Sequence, residues 1–97
     1  MSDEVTVSHD AAGHRYELHV GGQLAGYLAY SPRLDGVLIF THTEVRPEYE
    51  GRGYAGLLAE AALDDARATG HKIVARCPYV ASYIASHGSQ YADLVAP

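Results

Sequence analysis

The stretch Glu44-Val-Arg-Pro-Glu-Tyr-Glu-Gly-Arg-Gly-Tyr-Ala-Gly-Leu-Leu-Ala-Glu-Ala-Ala-Leu63 decides the architecture: a strand-like run passes through a glycine-rich turn into a helical one. Small residues at Gly51, Gly53, Ala55 and Gly56 let backbone N–H groups approach an anion closely, and the helix start adds its partial positive charge. Glycines at such a junction also serve simply to make the turn, so the neighbours carry the anion reading. The preceding Leu38-Ile-Phe-Thr-His-Thr-Glu-Val45 reads as a strand, Pro47 suits a chain leaving it, and no proline lies between Pro47 and Pro78. The glycine spacing excludes a Rossmann fingerprint, and the missing Gly-Lys-Ser/Thr excludes a Walker-type loop.

Upstream, Val5-Thr-Val-Ser-His9 and Arg15-Tyr-Glu-Leu-His-Val20 alternate like strands around the turn Asp10-Ala-Ala-Gly-His14. Gly21-Gly22 reverses the chain into Gln23-Leu-Ala-Gly-Tyr-Leu-Ala-Tyr-Ser31, and Pro32-Arg-Leu-Asp-Gly36 turns it into the strand ending near Val45. In that fourth strand, alternation predicts Phe40, His42 and Glu44 on one face and Ile39, Thr41, Thr43 and Val45 on the other.

Downstream, helical spacing over residues 53–69 predicts a buried face of Ala55, Leu58, Ala62 and Ala66 opposite Glu60, Asp64 and Arg67, with Gly70 as the stop. Lys72-Ile-Val-Ala-Arg76 is a short strand, parallel to the fourth because a helix intervenes. Residues 78–87 read as a second helix ended by Gly88, and Tyr91-Ala-Asp-Leu-Val95 as a last strand or ordered tail.

Ninety-seven residues suit one domain, 1–97, with a single core. The 47% apolar and 20% charged content is that of a globular domain without a membrane span, and Met1-Ser-Asp-Glu-Val5 lacks the basic-then-apolar pattern of a leader. A net charge of −5 with seven Lys and Arg argues against nucleic acid as a partner. It leaves room for an acidic ligand held by local backbone dipoles. The single Cys77 excludes an internal disulfide, and neither a metal site nor an oxidising compartment is expected, so the cytoplasm is the expected location.

The loop Glu50-Gly-Arg-Gly-Tyr-Ala55 resembles the acetyl-CoA pyrophosphate loop of GNAT-type N-acetyltransferases, written Gln/Arg-x-x-Gly-x-Gly/Ala. His42-Thr-Glu-Val45, Gly51-Arg-Gly53, Cys77-Pro-Tyr-Val80 and Tyr91-Ala-Asp-Leu-Val95 together are similar to the small stand-alone GNAT-like proteins, and the likeness spans nearly the whole chain. The resemblance implies a minimal α/β (α+β) fold with a mixed sheet, β-β-β-β-α-β-α-(β). It lacks the helices that larger members carry between their first two strands as part of the acceptor wall. Glu50 departs from the family's Gln or Arg and is expected to face solvent.

Acetyl transfer to an amine needs a held thioester, a neutral nitrogen, and stabilisation of the oxyanion and departing thiolate. The resemblance implies acetyl-CoA as co-substrate, gripped by N–H groups of residues 52–56 with Arg52 adding a charge-assisted contact. Val45, Gly51, Arg52, Gly53, Tyr54, Ala55, Gly56 and Tyr79 form the expected binding set. It sets His42 beside the acetyl group, where an imidazole can accept a proton near neutral pH. A half-buried structural histidine is the competing reading. Cys77, before Pro78 at the start of the second helix, is either a nucleophile favoured by the helix terminus or a small buried apolar residue. Tyr79, Tyr83 and His87 share one helical stripe. In larger relatives a tyrosine of this helix protonates the leaving thiolate, which makes Tyr83 the preferred counterpart and Tyr79 the next, with aromatic packing as the alternative.

Two schemes are therefore open: direct attack by an amine deprotonated through His42 or a water it holds, and relay through an acetylated Cys77. The function expected is acetyl-CoA-dependent N-acetylation of a small-molecule or protein-tail amine by a monomer or homodimer. A CoA-binding or interaction module without turnover, and a domain without ligand, are the other classes.

Overall fold

The structure, a computed structural model, describes residues 4–97. Residues 1–3, part of the opening segment quoted above, lie outside the described residues. The elements are β1 (Val5–Asp10), β2 (Arg15–Val20), β3 (Gln23–Pro32), β4 (Leu38–Val45), α1 (Tyr54–Thr69), β5 (Ile73–Ala75) and α2 (Pro78–Ser86), with 3-10 turns at Pro47–Tyr49 and Ala92–Leu94. One sheet runs β1-β2-β3-β4-β5, antiparallel as far as β4 and parallel between β4 and β5. The mixed sheet and helix-free connection between β1 and β2 match the sequence reading.

The alternation expected along β4 is broken by a bulge. Ala29 pairs with His42 but Tyr30 pairs with Phe40, so Thr41 is the extra residue. Directly paired residues share a face, and the partners of Phe40 and Thr43 are Tyr30 and Leu28, both buried. Phe40 and Thr43 therefore face the core, whereas His42 and Glu44 face away from it and are exposed. The expected grouping of Phe40 with His42 and Glu44 is corrected: one inserted residue reverses every side chain beyond it.

Both helices pack on the face that carries Tyr16, Leu18, Leu28, Tyr30 and Phe40, where Leu58, Ala59, Ala62, Leu63, Ala66 and Val80 complete one core. Each buried leucine contributes about 1.5–3 kcal/mol relative to an exposed one. Ala59 and Leu63 widen the α1 face beyond the expected alanine-rich stripe, and Ala55 stays half-buried near the loop. Gly53 and Gly70 bracket α1 in the left-handed region at φ 79° and 76°, and the Gly70 N–H bonds the Ala66 and Arg67 carbonyls. The opposite sheet face, with Arg15, Glu17, His19, Tyr27, His42 and Glu44, has no helix over it among the described elements.

The C-terminal segment is an ordered tail rather than a strand. Tyr91 and Leu94 are 1% and 4% exposed, and a three-residue spacing puts both on the buried side of a 3-10 turn, where a strand would send one outward. The tail's contact with the sheet is a single bridge, Val95 to Ile73, with the Ala96 N–H on the Ile73 carbonyl at 2.8 Å.

A polar clasp ties β1 and β2 to α1. The Tyr16 hydroxyl donates to Asp65 Oδ2 at 2.6 Å, His9 stacks on Tyr16 at 4.3 Å between centroids, and His9 Nε2 lies 2.7 Å from the Tyr30 hydroxyl. Burial, then the hydrogen bond to Asp65 and its charge, raise Tyr16 well above a phenol's ordinary value, and Tyr30 is raised by burial and by Asp65. A folded-state pKa above the unfolded value gives stability that is complete below about pH 10 and is lost as pH rises towards the folded value. Unfolding free energies from urea titration should be flat from pH 7 to 9 and, above about pH 10, fall by about 1.4 kcal/mol per pH unit for each such tyrosine. Tyr16→Phe should cost about 1–2 kcal/mol at pH 7 and remove one tyrosine's share of that alkaline slope; an unchanged slope would refute the assignment.

Candidate active site

The site begins where β4 outruns β5. Their ladder covers Leu38, Ile39 and Phe40 against Ile73, Val74 and Ala75. Beyond it the Arg76 and Cys77 N–H groups both bond the Phe40 carbonyl, at 3.0 and 2.8 Å, and the chain leaves into α2 at Pro78. Residues 42–45 stay paired with β3 alone, so their other edge opens on a gap. The Arg46 N–H points to β3, bonding the Ala25 carbonyl at 2.8 Å, and alternation therefore turns the backbone groups of Thr43 and Val45 into the gap.

Next to this gap lies a concavity of about 160 Å³ lined by Val45, Tyr49, Glu50, Gly51, Gly53, Tyr54, Ala55, Gly56 and Tyr79. Of the expected binding residues, all but Arg52 meet there. Gly51 and Gly53 have φ 77° and 79°, and a Cβ at either would meet nothing within 4 Å, so the turn exposes main chain in front of the sixteen-residue α1. A Cβ on Gly56 would come 3.6 Å from the Tyr79 hydroxyl and 3.9 Å from Tyr83 Cε2, which measures how closely α2 approaches this end of α1. The Arg52 guanidinium sits 5.8 Å from the centroid of Tyr49, a ring of the lining, and thus flanks the concavity. Glu50 is exposed, as expected, but stands on the rim.

Tyr83 is half-buried, 6.4 Å from Tyr79, 5.9 Å from Tyr91 and stacked on His87 at 4.1 Å. Burial, then the Tyr91 hydroxyl and the charge of Glu60, raise its pKa, so it is protonated at neutral pH but holds that proton more tightly than a free phenol. Cys77 caps α2 in extended backbone geometry, 4% exposed, with its Sγ 3.5 Å from Thr43 Oγ1. His42 lies on the other sheet face, 3.3 Å from Glu44 Oε1 and 5.9 Å from the Tyr27 ring. The bulge thus puts His42 on the sheet face away from Cys77. Thr43 and Tyr49 were not expected. Pro47 at the first position of the 3-10 turn signals the bend that sets Tyr49, but nothing in the sequence announces the bulge that turns Thr43 inward.

The residues fit a diphosphate-bearing acyl donor: open glycine backbone before a helix, a flanking arginine, and a strand edge with unpaired amides leading from it. Among the described residues no group of His, Cys, Asp and Glu could hold a metal ion, and no helix is long and apolar enough to cross a membrane.

No curated protein sequence matches this chain. Among solved structures, a GCN5-like protein from Staphylococcus aureus is 21% identical, covering 96% of this chain and 87% of that one with a TM-score of 0.63. The ribosomal-protein-alanine N-acetyltransferase of Brucella melitensis is 16% identical, covering 100% and 93% with a TM-score of 0.59. A protein from Clostridium acetobutylicum, solved with acetyl-CoA, is 15% identical, covering 78% and 56% with a TM-score of 0.51. At these identities the likeness establishes the fold. Residues 15–94, which run from β2 through the Ala92–Leu94 turn and include the whole concavity, match the GCN5-related N-acetyl-transferase family. Family and fold together support an N-acetyltransferase, and the chain belongs to the GCN5-related N-acetyltransferase family.

Proposed function

We propose that this protein transfers an acetyl group from acetyl-CoA to an amine. The observation that carries the reading is the open backbone at Gly51 and Gly53 beside the unpaired edge of β4. The N–H groups of residues 52–56 would bind the diphosphate, with Arg52 as a flanking cation, and the amides of Thr43 and Val45 would receive the arm and polarise the carbonyl. Bound acetyl-CoA supplies an activated acyl group. His42, on the exposed face with Glu44 beside it, serves as proton acceptor for the incoming ammonium, and Tyr83 as proton donor to the thiolate.

The separation of His42 from Cys77 across the sheet favours direct attack over a thiol relay. Cys77→Ala should keep the rate within about threefold, while Tyr83→Phe should lower kcat by about 10²-fold with little change in KM. Loss of turnover in Cys77→Ala, together with an acetyl mass on the wild-type cysteine, would reverse this. The primary test is a thermal melt with acetyl-CoA followed by thiol release over an amine panel; an unchanged melting temperature would refute acetyl-CoA binding. A binding module without turnover is the second reading, favoured by the helix-free face where an acceptor wall would stand. A thermal shift without acetylation of any amine would select it.

A further inference from the structure

Glu44, Val45 and Arg46 are consecutive, yet they serve two different depressions. Val45 lines the concavity under α1, whereas Glu44 and Arg46 line a dent of about 100 Å³ on the helix-free face with Arg15, Leu24, Gly26 and Tyr27. The backbone of β4 is thus a shared wall between the two. Gly26 brings β3 tight against this wall, since a Cβ there would fall 2.6 Å from the Glu44 carbonyl oxygen. The dent is too small for a folded partner and suits one end of a small molecule.

Its charges are arranged in a line. His42, Glu44 and Arg46 follow at two-residue steps, about 6–7 Å each, with His42 beside the bulge where the strands part. Among the described residues Glu44 is engaged only by His42, at 3.3 Å. Arg15 is held by Glu17 at 2.5 Å and lies 5.1 Å from the Tyr27 ring centroid, which fixes its guanidinium at the dent. Arg46 takes part in none of the ion pairs found among the described residues. A free cation, then a carboxylate, then an imidazole at the gap form the complement of a zwitterion.

Resting on the acetyl-transfer reading above, we propose that the acceptor is a small amine bearing a carboxylate, with Arg46 binding the carboxylate and Glu44 and His42 receiving the ammonium. Arg46 is then the specificity-determining residue. A guanidinium–carboxylate hydrogen bond that is lost leaves a discrimination of about 10–100-fold, because a charge-assisted contact is worth more than a neutral one.

The test uses matched pairs differing by the carboxylate: alanine against ethylamine, and lysine against cadaverine. The first pair presents the nitrogen beside the carboxylate and the second also presents one at the far end. At least one carboxylate-bearing member should show a KM about 10-fold or more below its partner. Arg46→Gln should erase that difference by raising the KM of the carboxylate-bearing amine alone, and should leave the acetyl-CoA-induced rise in melting temperature unchanged. Amide-shift titration of the same amino acid should give a Kd that weakens in parallel, a readout independent of turnover. Equal KM values within both pairs, a preference for ethylamine or cadaverine, or discrimination that survives Arg46→Gln would overturn the proposal. Failure of the acetyl-CoA reading is distinct: the thermal rise would be missing in wild type, while the titration would still show whether Arg46 binds the carboxylate.

Discussion

Gly53→Glu should abolish the rise in melting temperature expected from acetyl-CoA. If the wild type binds the coenzyme as proposed, a concentration of about a hundred times Kd should stabilise the fold by about 2.7 kcal/mol, a shift of roughly 10–20 °C for a domain of this size. Gly53 caps α1 at φ 79°, ψ 12°, and nothing stands within 4 Å of the position a Cβ would take. A side chain there costs about 1 kcal/mol of backbone strain and projects from the turn whose amides are proposed to meet the diphosphate. A glutamate also brings its negative charge to that anion. Two like charges about 4 Å apart repel by about 4 kcal/mol at an effective dielectric of 20, enough to cancel the binding in the melt. Gly53→Ala separates the terms: it pays the strain, lowers the unliganded melting temperature slightly and keeps part of the ligand shift. Differential scanning fluorimetry of both variants, with and without acetyl-CoA, checks this, and a full shift in Gly53→Glu would remove the loop from the binding site.

Phe40→Ala should destabilise the protein by about 3–5 kcal/mol, a large part of the roughly 5–15 kcal/mol that holds a domain of this length. Phe40 is fully buried and meets Tyr30 edge-on at 6.3 Å. Its carbonyl takes the Arg76 and Cys77 N–H groups, so this residue fastens β4 to the start of α2 just before the strands part. The cavity would therefore open beneath the gap as well as cost burial. Urea unfolding should show the midpoint falling with m unchanged, and Phe40→Leu, which refills most of the volume, should recover more than half of the loss. An effect below about 1 kcal/mol would mean that the core closes around the vacancy.

The sequence by itself determined the order of elements, the loop and the ends of α1, because each is written in local chemistry. Alternation marks β1, β2 and β3; paired glycines mark the turns; Gly53 and Gly70 mark the ends of a helix whose apolar residues repeat at helical spacing. It also brought out the open backbone of the glycine turn at residues 51–53, since glycine on either side of Arg52 before a helix is a backbone requirement visible in one dimension.

What only the tertiary structure decided was which side of the sheet each β4 residue faces. The bulge at Thr41 arises from pairing with β3 and packing of Phe40 against Tyr30, contacts between residues far apart in the chain, and no residue near Thr41 specifies it alone. One unpaired residue sends His42, Glu44 and Arg46 to the bare face and Thr43 to Cys77, and so divides the polar groups of a single strand between two sites. The tail shows the same limit: the burial of Tyr91 and Leu94 against the core, not their β propensity, wound the segment into a turn.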